Sequence, residues 1–185
     1  MHKEICEHSV DVDLIKPGAK VLDIGCRGFG FTNAMTALGC QVHAIDPDTL
    51  DGGVYHKCAI STYDGTCDLV HTNDPQGKYI KSGNVIPVFT LKSFSEKVGV
   101  KWWDLIKIDC EGEEYAILPT LTEPIATQLS IEFHEHTAKK IGQSEIDNML
   151  ARFEQWYDIR HKVWESRHGA GFNYWDVLLV LKGAK

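Results

Sequence analysis

The sequence predicts an α/β fold built around a mostly parallel sheet, and three stretches of similar design predict it. Residues 20–24 are a short apolar run carrying Asp23 and leading into glycines at 25, 28 and 30; residues 41–46 end in Asp46; residues 103–109 end in Asp109. Short apolar runs closed by polar or turn residues, with helical spacing between them, are the mark of strands buried on both faces in βα units. With 185 residues the chain suits one domain spanning 1–185, with 1–19 as a lead-in segment, and it is long enough to bury a core.

Taken in order, residues 1–19 are polar, end in Lys16-Pro17-Gly18, and leave room for a short helix through 10–15. Phe31, Ala34, Met35 and Leu38 have helical spacing, and Gly39 follows as a stop. Residues 47–54 hold proline, aspartates and glycines without periodicity, so a loop replaces the helix expected after the second strand. A third strand is expected over 55–60, turn-linked β segments over 68–72 and 78–81, and an extended run over 85–91, with Ser93 as cap of a short helix through Lys97. After Asp109 a helix should begin near Gly112. Residues 126–134 read as the next strand, with Leu129, Ile131 and Phe133 on one face and Glu132 and His134 on the other. Ser144 is the candidate cap of a helix carrying Ile146, Met149, Leu150 and Phe153. Residues 157–165 and 174–182 form two extended runs about a turn at 166–171, with Arg167 and His168 at its tip.

Composition narrows the function. Hydrophobic residues make up 43%, yet no apolar run approaches the length of a bilayer span. The net charge of −7 argues against a general grip on nucleic acid. The six cysteines form no C-x-x-C pair, and no leader pattern precedes residue 20, so the expected home is the reducing cytoplasm.

The glycine turn is the first chemical centre. Its order, G-x-x-G-x-G, reverses that of the dinucleotide fingerprint, and Asp23 stands two residues before the first glycine. A pyrophosphate seeks bare N–H groups at a helix start and would be repelled by Asp23. A cationic or zwitterionic ligand would not. Asp46, at the end of the second strand, is placed to accept hydrogen bonds from ribose hydroxyls. Asp48 reads as a solvated loop charge. Ala59, with the loop at 61–64 after it, is expected at an adenine edge.

The second centre is the end of the strand at Asp109. In open α/β sheets ligands bind outside the carboxyl ends of the strands, which puts Asp109 and Glu111 in the crevice of the glycine turn. Glu113 and Glu114 suit a first helical turn. His134, at the end of the neighbouring strand, is a candidate base facing Asp109; a purely structural, hydrogen-bonded histidine is the alternative. Asp109, Glu111, Glu132, His134 and His136 could gather a divalent metal, but their spacing is not diagnostic, and no metal is assigned.

Asp23, Gly25, Gly28 and Gly30, then Asp46, then the block from Leu105 through Lys107, Asp109, Glu111 and Gly112 to Glu114 together resemble the FkbM-type methyltransferases over roughly residues 20–182. The resemblance implies a seven-stranded, Rossmann-like class I methyltransferase sheet with a C-terminal antiparallel strand pair. It implies S-adenosylmethionine as cofactor, held by Asp23, Gly25, Gly28, Gly30, Asp46, Ala59 and Asp109, with Asp23 near the amino group of the methionine moiety. Asp109, Glu111 and His134 are the catalytic candidates. The implied reaction is O-methylation of a small molecule such as a sugar, with no nucleic acid or membrane partner and an open oligomeric state. N-methylation and a non-catalytic cofactor-binding module are the alternatives. The short region after Asp46 and the lack of an N-terminal extension leave little material for a lid, so segments 61–84 and 134–144 or a partner subunit should complete the pocket.

Overall fold

The first three apolar runs form the centre of a seven-stranded sheet. In the computed structural model, which describes residues 1–49, 51–71, 78–134, 142–167 and 172–185, the chain begins with a hairpin of β1 (His2–Ile5) and β2 (His8–Asp11). β3 (Lys20–Ile24), α1 (Gly30–Ala37), β4 (Gln41–Ile45), β5 (Tyr55–His56) and β6 (Ala59–Ile60) follow. Next come β7 (Gly65–His71), β8 (Lys78–Ser82), β9 (Ile86–Phe89), α2 (Leu91–Lys97) and β10 (Trp103–Ile108). The chain closes with α3 (Glu114–Ile117), β11 (Ala126–His134), α4 (Gln143–Phe153), β12 (Tyr157–Arg167) and β13 (Phe172–Leu181).

The sheet order is β12-β13-β11-β10-β3-β4-β5. It is mixed: the pairings from β5 to β11 are parallel, whereas β13 runs antiparallel to both β11 and β12. The strand order turns back on itself between β3 and β10, the place where α/β sheets open a ligand crevice. One face packs Leu22, Ile106, Leu129 and Ile131 against Ile146, Leu150 and Phe153 of α4 and Phe94 of α2. The other packs Val21, Val42 and Leu105 against Phe31 and Met35 of α1 and Val10 of the hairpin.

Several expectations are corrected. Residues 10–15 are the end of β2 and a 3-10 turn over Val12–Leu14, because Asp11 accepts the Asp13 N–H and the chain tightens at once. The third strand divides: β5 stays on the main sheet, while β6 leaves it for a separate four-stranded sheet of order β6-β9-β7-β8. α2 is capped by Thr90, whose hydroxyl accepts the Ser93 N–H at 3.1 Å, and not by Ser93. Ser144 lies inside α4, which starts after Gly142, with the Glu145 carboxylate accepting the Gly142 N–H at 3.0 Å. Among the described residues no helix is long and apolar enough to cross a membrane, and the six cysteines are free. His136, His168 and the turn around it lie outside the described residues.

Candidate active site

The site lies where β3 and β10 separate. Lys107 stands opposite Asp23 in the β3–β10 register, so both side chains rise from the same face, and the Asp109 N–H donates to the Ile24 carbonyl at 3.1 Å. Gly25 follows with φ +82°, and a Cβ there would stand 1.7 Å from the Asp109 carbonyl oxygen. Two demands converge on this glycine, a left-handed backbone and an approach that no side chain fits. The N–H groups of Gly25 and Cys26 both donate to the Ile45 carbonyl, at 2.8 and 3.1 Å. The glycine turn is thereby tied to the end of β4, next to Asp46. Asp46 itself accepts the Asp48 N–H at 2.8 Å, which shapes the turn at Pro47.

A charged core lies beneath this turn. The Lys107 ammonium is buried, 3.1 Å from Asp23 and 3.2 Å from Asp109, and donates to the Gly25 carbonyl at 2.7 Å. Burial alone would lower its pKa; Asp109 and Asp23 outweigh burial and hold it above the ordinary lysine range. The Asp109 carboxyl is held below the usual range, because Lys107, His8 and His134 together outweigh the cost of burial. Asp23 has no exposure, and its other oxygen accepts the Thr32 hydroxyl at 2.6 Å. It borders the crevice with both oxygens committed, one to Lys107 and one to Thr32. Asp109, about a quarter exposed, is the carboxylate that faces the opening. Burial pushes the Cys26 thiol up to about 12, which makes it inert packing.

His134 belongs to an adjoining cluster. Its Nδ1 lies 2.9 Å from Glu114, which is wholly buried and also accepts the His134 and Gly112 backbone N–H groups. Its Nε2 lies 3.1 Å from Glu132, 3.6 Å from Asp109 and 3.8 Å from Glu111. Burial opposes the charged imidazole, but the bonds to Glu114 and Glu132 prevail and raise its pKa well above the usual value. This surrounding of carboxylates favours the charged imidazole. Glu111 differs from its neighbours: it is half-buried, has a left-handed backbone at φ 54°, and its carboxyl pKa is pushed up by burial, only partly opposed by His134. A strained, non-glycine backbone at a strand end is a feature of functional sites.

The crevice has a volume of about 280 Å³. Its floor is the glycine turn with Cys26, Arg27, Gly28 and Gly30; Asp23, Lys107 and Asp109 form its back; Cys6, Glu7 and His8 from the hairpin form its roof. Of the expected site residues, Asp23, Gly28, Gly30 and Asp109 line it, whereas Gly25, Asp46, Glu111 and His134 are not among its lining residues. Ala59 instead sits buried among Cys67, Ile86 and Val88, in the core of the four-stranded sheet. His8, buried and 3.5 Å from Asp109, was not legible as a site residue. His8, Asp109 and Glu132 bring possible ligand atoms within 4.8 Å of one another, but Lys107 and His134 already lie against these carboxylates.

No curated protein sequence matches the chain. Among solved structures, Burkholderia thailandensis 1,6-didemethyltoxoflavin-N1-methyltransferase with bound 1,6-didemethyltoxoflavin and S-adenosylhomocysteine is 13% identical. The match covers 89% of this chain and 71% of that one, with a TM-score of 0.49. M. capricolum TrmK, in complex with S-adenosylhomocysteine, is 13% identical over 92% of this chain and 66% of that one, also with a TM-score of 0.49. The family model for the methyltransferase FkbM domain matches residues 53–163, a stretch that includes β10, Asp109, Glu111, Glu114 and His134. Covering more than half of the chain, that match places the protein in the methyltransferase FkbM domain family.

Proposed function

We propose that the protein transfers a methyl group from S-adenosylmethionine to a hydroxyl of a small molecule such as a sugar. The observation that carries this reading is the crevice itself, where a glycine turn meets carboxylates and cations of one site, Asp109 and Glu7 with Arg27 and Lys107. That mixed lining suits a zwitterionic amino-acid end and disfavours a pyrophosphate. Gly28 adds room, with φ +77° and no atom within 4 Å of where a Cβ would stand.

Bound S-adenosylmethionine supplies an electrophilic methyl group. The chain's own residues then bind, align and move a proton. Asp46 holds the ribose, and the backbone of the glycine turn together with Asp109 holds the amino-acid end. Glu111 receives the acceptor's proton: it is accessible, and its carboxyl pKa is raised toward the working pH. His134 holds the cluster together through Glu114 and Glu132, with its Nε2 3.6 Å from Asp109 and 3.8 Å from Glu111. Alignment of acceptor and methyl group carries most of the acceleration.

Labelled S-adenosylmethionine incubated with a hydroxyl-rich metabolite extract tests this reading, with the product identified by mass spectrometry. Label on oxygen supports it; label on nitrogen would replace O- with N-methylation; no transfer to any acceptor, with cofactor bound, would reduce the protein to a binding module. Asp46→Ala is expected to weaken S-adenosylhomocysteine binding by about 1.5–3 kcal/mol, the loss of hydrogen bonds to a charged group. Calorimetry on the folded variant reads this directly, and undiminished affinity would remove Asp46 from the ribose site.

A further inference from the structure

The face of the sheet that carries Asp23 and Lys107 continues onto β11 with Gln128, Ser130 and Glu132, because Lys107 pairs with Ser130 and Leu105 with Gln128. Polar groups on a central strand require partners, and the N-terminal hairpin supplies those of Gln128. Gln128 accepts the Asp11 N–H at 2.8 Å and donates to the Asp11 carbonyl at 3.2 Å, and Ser9 donates to Asp176. Val10 is fully buried against the core of α1 and β3. The base of the hairpin is therefore anchored.

Its tip is built differently. Cys6 and Glu7 are exposed and both left-handed, with φ 49° and 70°. A two-residue hairpin loop of this hand ordinarily uses asparagine or glycine, so each of these side chains is held at a steric cost. The tip reaches the floor of the crevice, where the Cys6 Sγ lies 3.2 Å from the position a Cβ would take at Gly30. Just behind the tip, His8 is packed edge-on against Phe31 at 5.5 Å and turns Nε2 toward Asp109 at 3.5 Å. Its Nδ1 is buried with no hydrogen-bond partner among the described residues. The roof thus presents a carboxylate, Glu7, and an imidazole, His8, to the same opening as Asp109 and the glycine turn.

We propose that the β1–β2 hairpin is a binding element of the cofactor site, in which His8 positions Asp109 and the Cys6–Glu7 tip closes over the amino-acid end of the ligand. This rests on the reading of the crevice as an S-adenosylmethionine site. An opening of about 280 Å³ is at the lower limit of pockets that enclose a small molecule, so the tip lifts to admit ligand while Ser9, Val10 and Asp11 stay docked.

S-adenosylhomocysteine is the probe, and hydrogen exchange on the intact wild-type protein is the first readout. Saturating probe should slow exchange of the amides between residues 5 and 8, with little change at the docked base. His8→Ala should bind the probe about tenfold or more weakly, as expected when a charged hydrogen-bonding arrangement is lost, chiefly through faster dissociation. His8→Gln, whose amide nitrogen takes the place of Nε2 and keeps a donor for Asp109, should recover part of that affinity. Probe binding with no protection at 5–8, or His8→Ala binding as tightly as wild type while folded, would overturn the proposal. Absence of probe binding by the wild-type protein would overturn the cofactor reading on which it rests, so the two failures are distinct. Because the exchange measurement needs no variant, a His8→Ala protein that fails to fold leaves the first test standing.

Discussion

Lys107→Met is expected to destabilise the protein by about 3–5 kcal/mol near neutral pH, the range for removing one member of a buried ion pair. The size of the effect follows from what remains. Asp23 is wholly inaccessible, and Lys107 makes the largest of the contributions, with His8 and His134, that together hold Asp109 below the usual carboxylate range against burial. Without the ammonium, Asp23 stays buried and Asp109 partly buried, both with far less compensation. The pH dependence has a definite sign. In the wild type Asp109 contributes stability above its unfolded pKa of about 3.9, lost as pH falls through its lower folded value. In Lys107→Met the largest contribution opposing burial is gone, so the deficit relative to wild type should narrow on acidification. Urea denaturation of both proteins across pH tests this, and a loss under about 1 kcal/mol at neutral pH would show that Lys107 does not hold the two carboxylates.

His134→Ala is the second large effect, expected at about 3–5 kcal/mol at mildly acidic to neutral pH, because Glu114 and Glu132 lose the cation between them. His134 has a raised folded pKa. Its contribution is therefore complete below the unfolded value of about 6.5 and disappears as pH rises through the folded value. The difference between wild type and variant should shrink toward alkaline pH, where the wild-type histidine also loses its proton. Proton NMR of the imidazole gives an independent check: the ring should stay charged through neutral pH. A titration centred near 6.5 would restore His134 as a free base and withdraw Glu111 from that role.

The parts of the site that the sequence displayed are those set by local pattern. Asp23, Asp46 and Asp109 each stand at or near the end of an apolar run that could only be a buried strand, and the sheet places those ends side by side. Gly25 was legible as a turn glycine, although the closeness of the Asp109 carbonyl is a tertiary fact. Alternation along 126–134 put Glu132 and His134 on one face as observed, but it could not reveal that Glu114 would come from α3 to hold the ring. The hairpin was missed because its turn is Cys6-Glu7, with neither glycine nor asparagine to announce it. One signal was present: polar Gln128, Ser130 and Glu132 stand at alternate positions of a central strand, and the hairpin strand meets the first of them through Asp11. The split of 55–60 between two sheets follows a change of direction after His56, where the Cys58 N–H donates back to the His56 carbonyl at 2.9 Å. That bend carries Ala59 into the second sheet, away from the lining of the crevice.

The most direct test of the central claim is a calorimetric titration of the wild-type protein with S-adenosylhomocysteine, run beside an identical titration with NADH. Saturable binding of S-adenosylhomocysteine at one site per chain, with no heat from NADH, is the predicted result. Saturable NADH binding with none of S-adenosylhomocysteine would contradict the assignment of the glycine turn, Asp23 and Asp46 to a methyl-donor site.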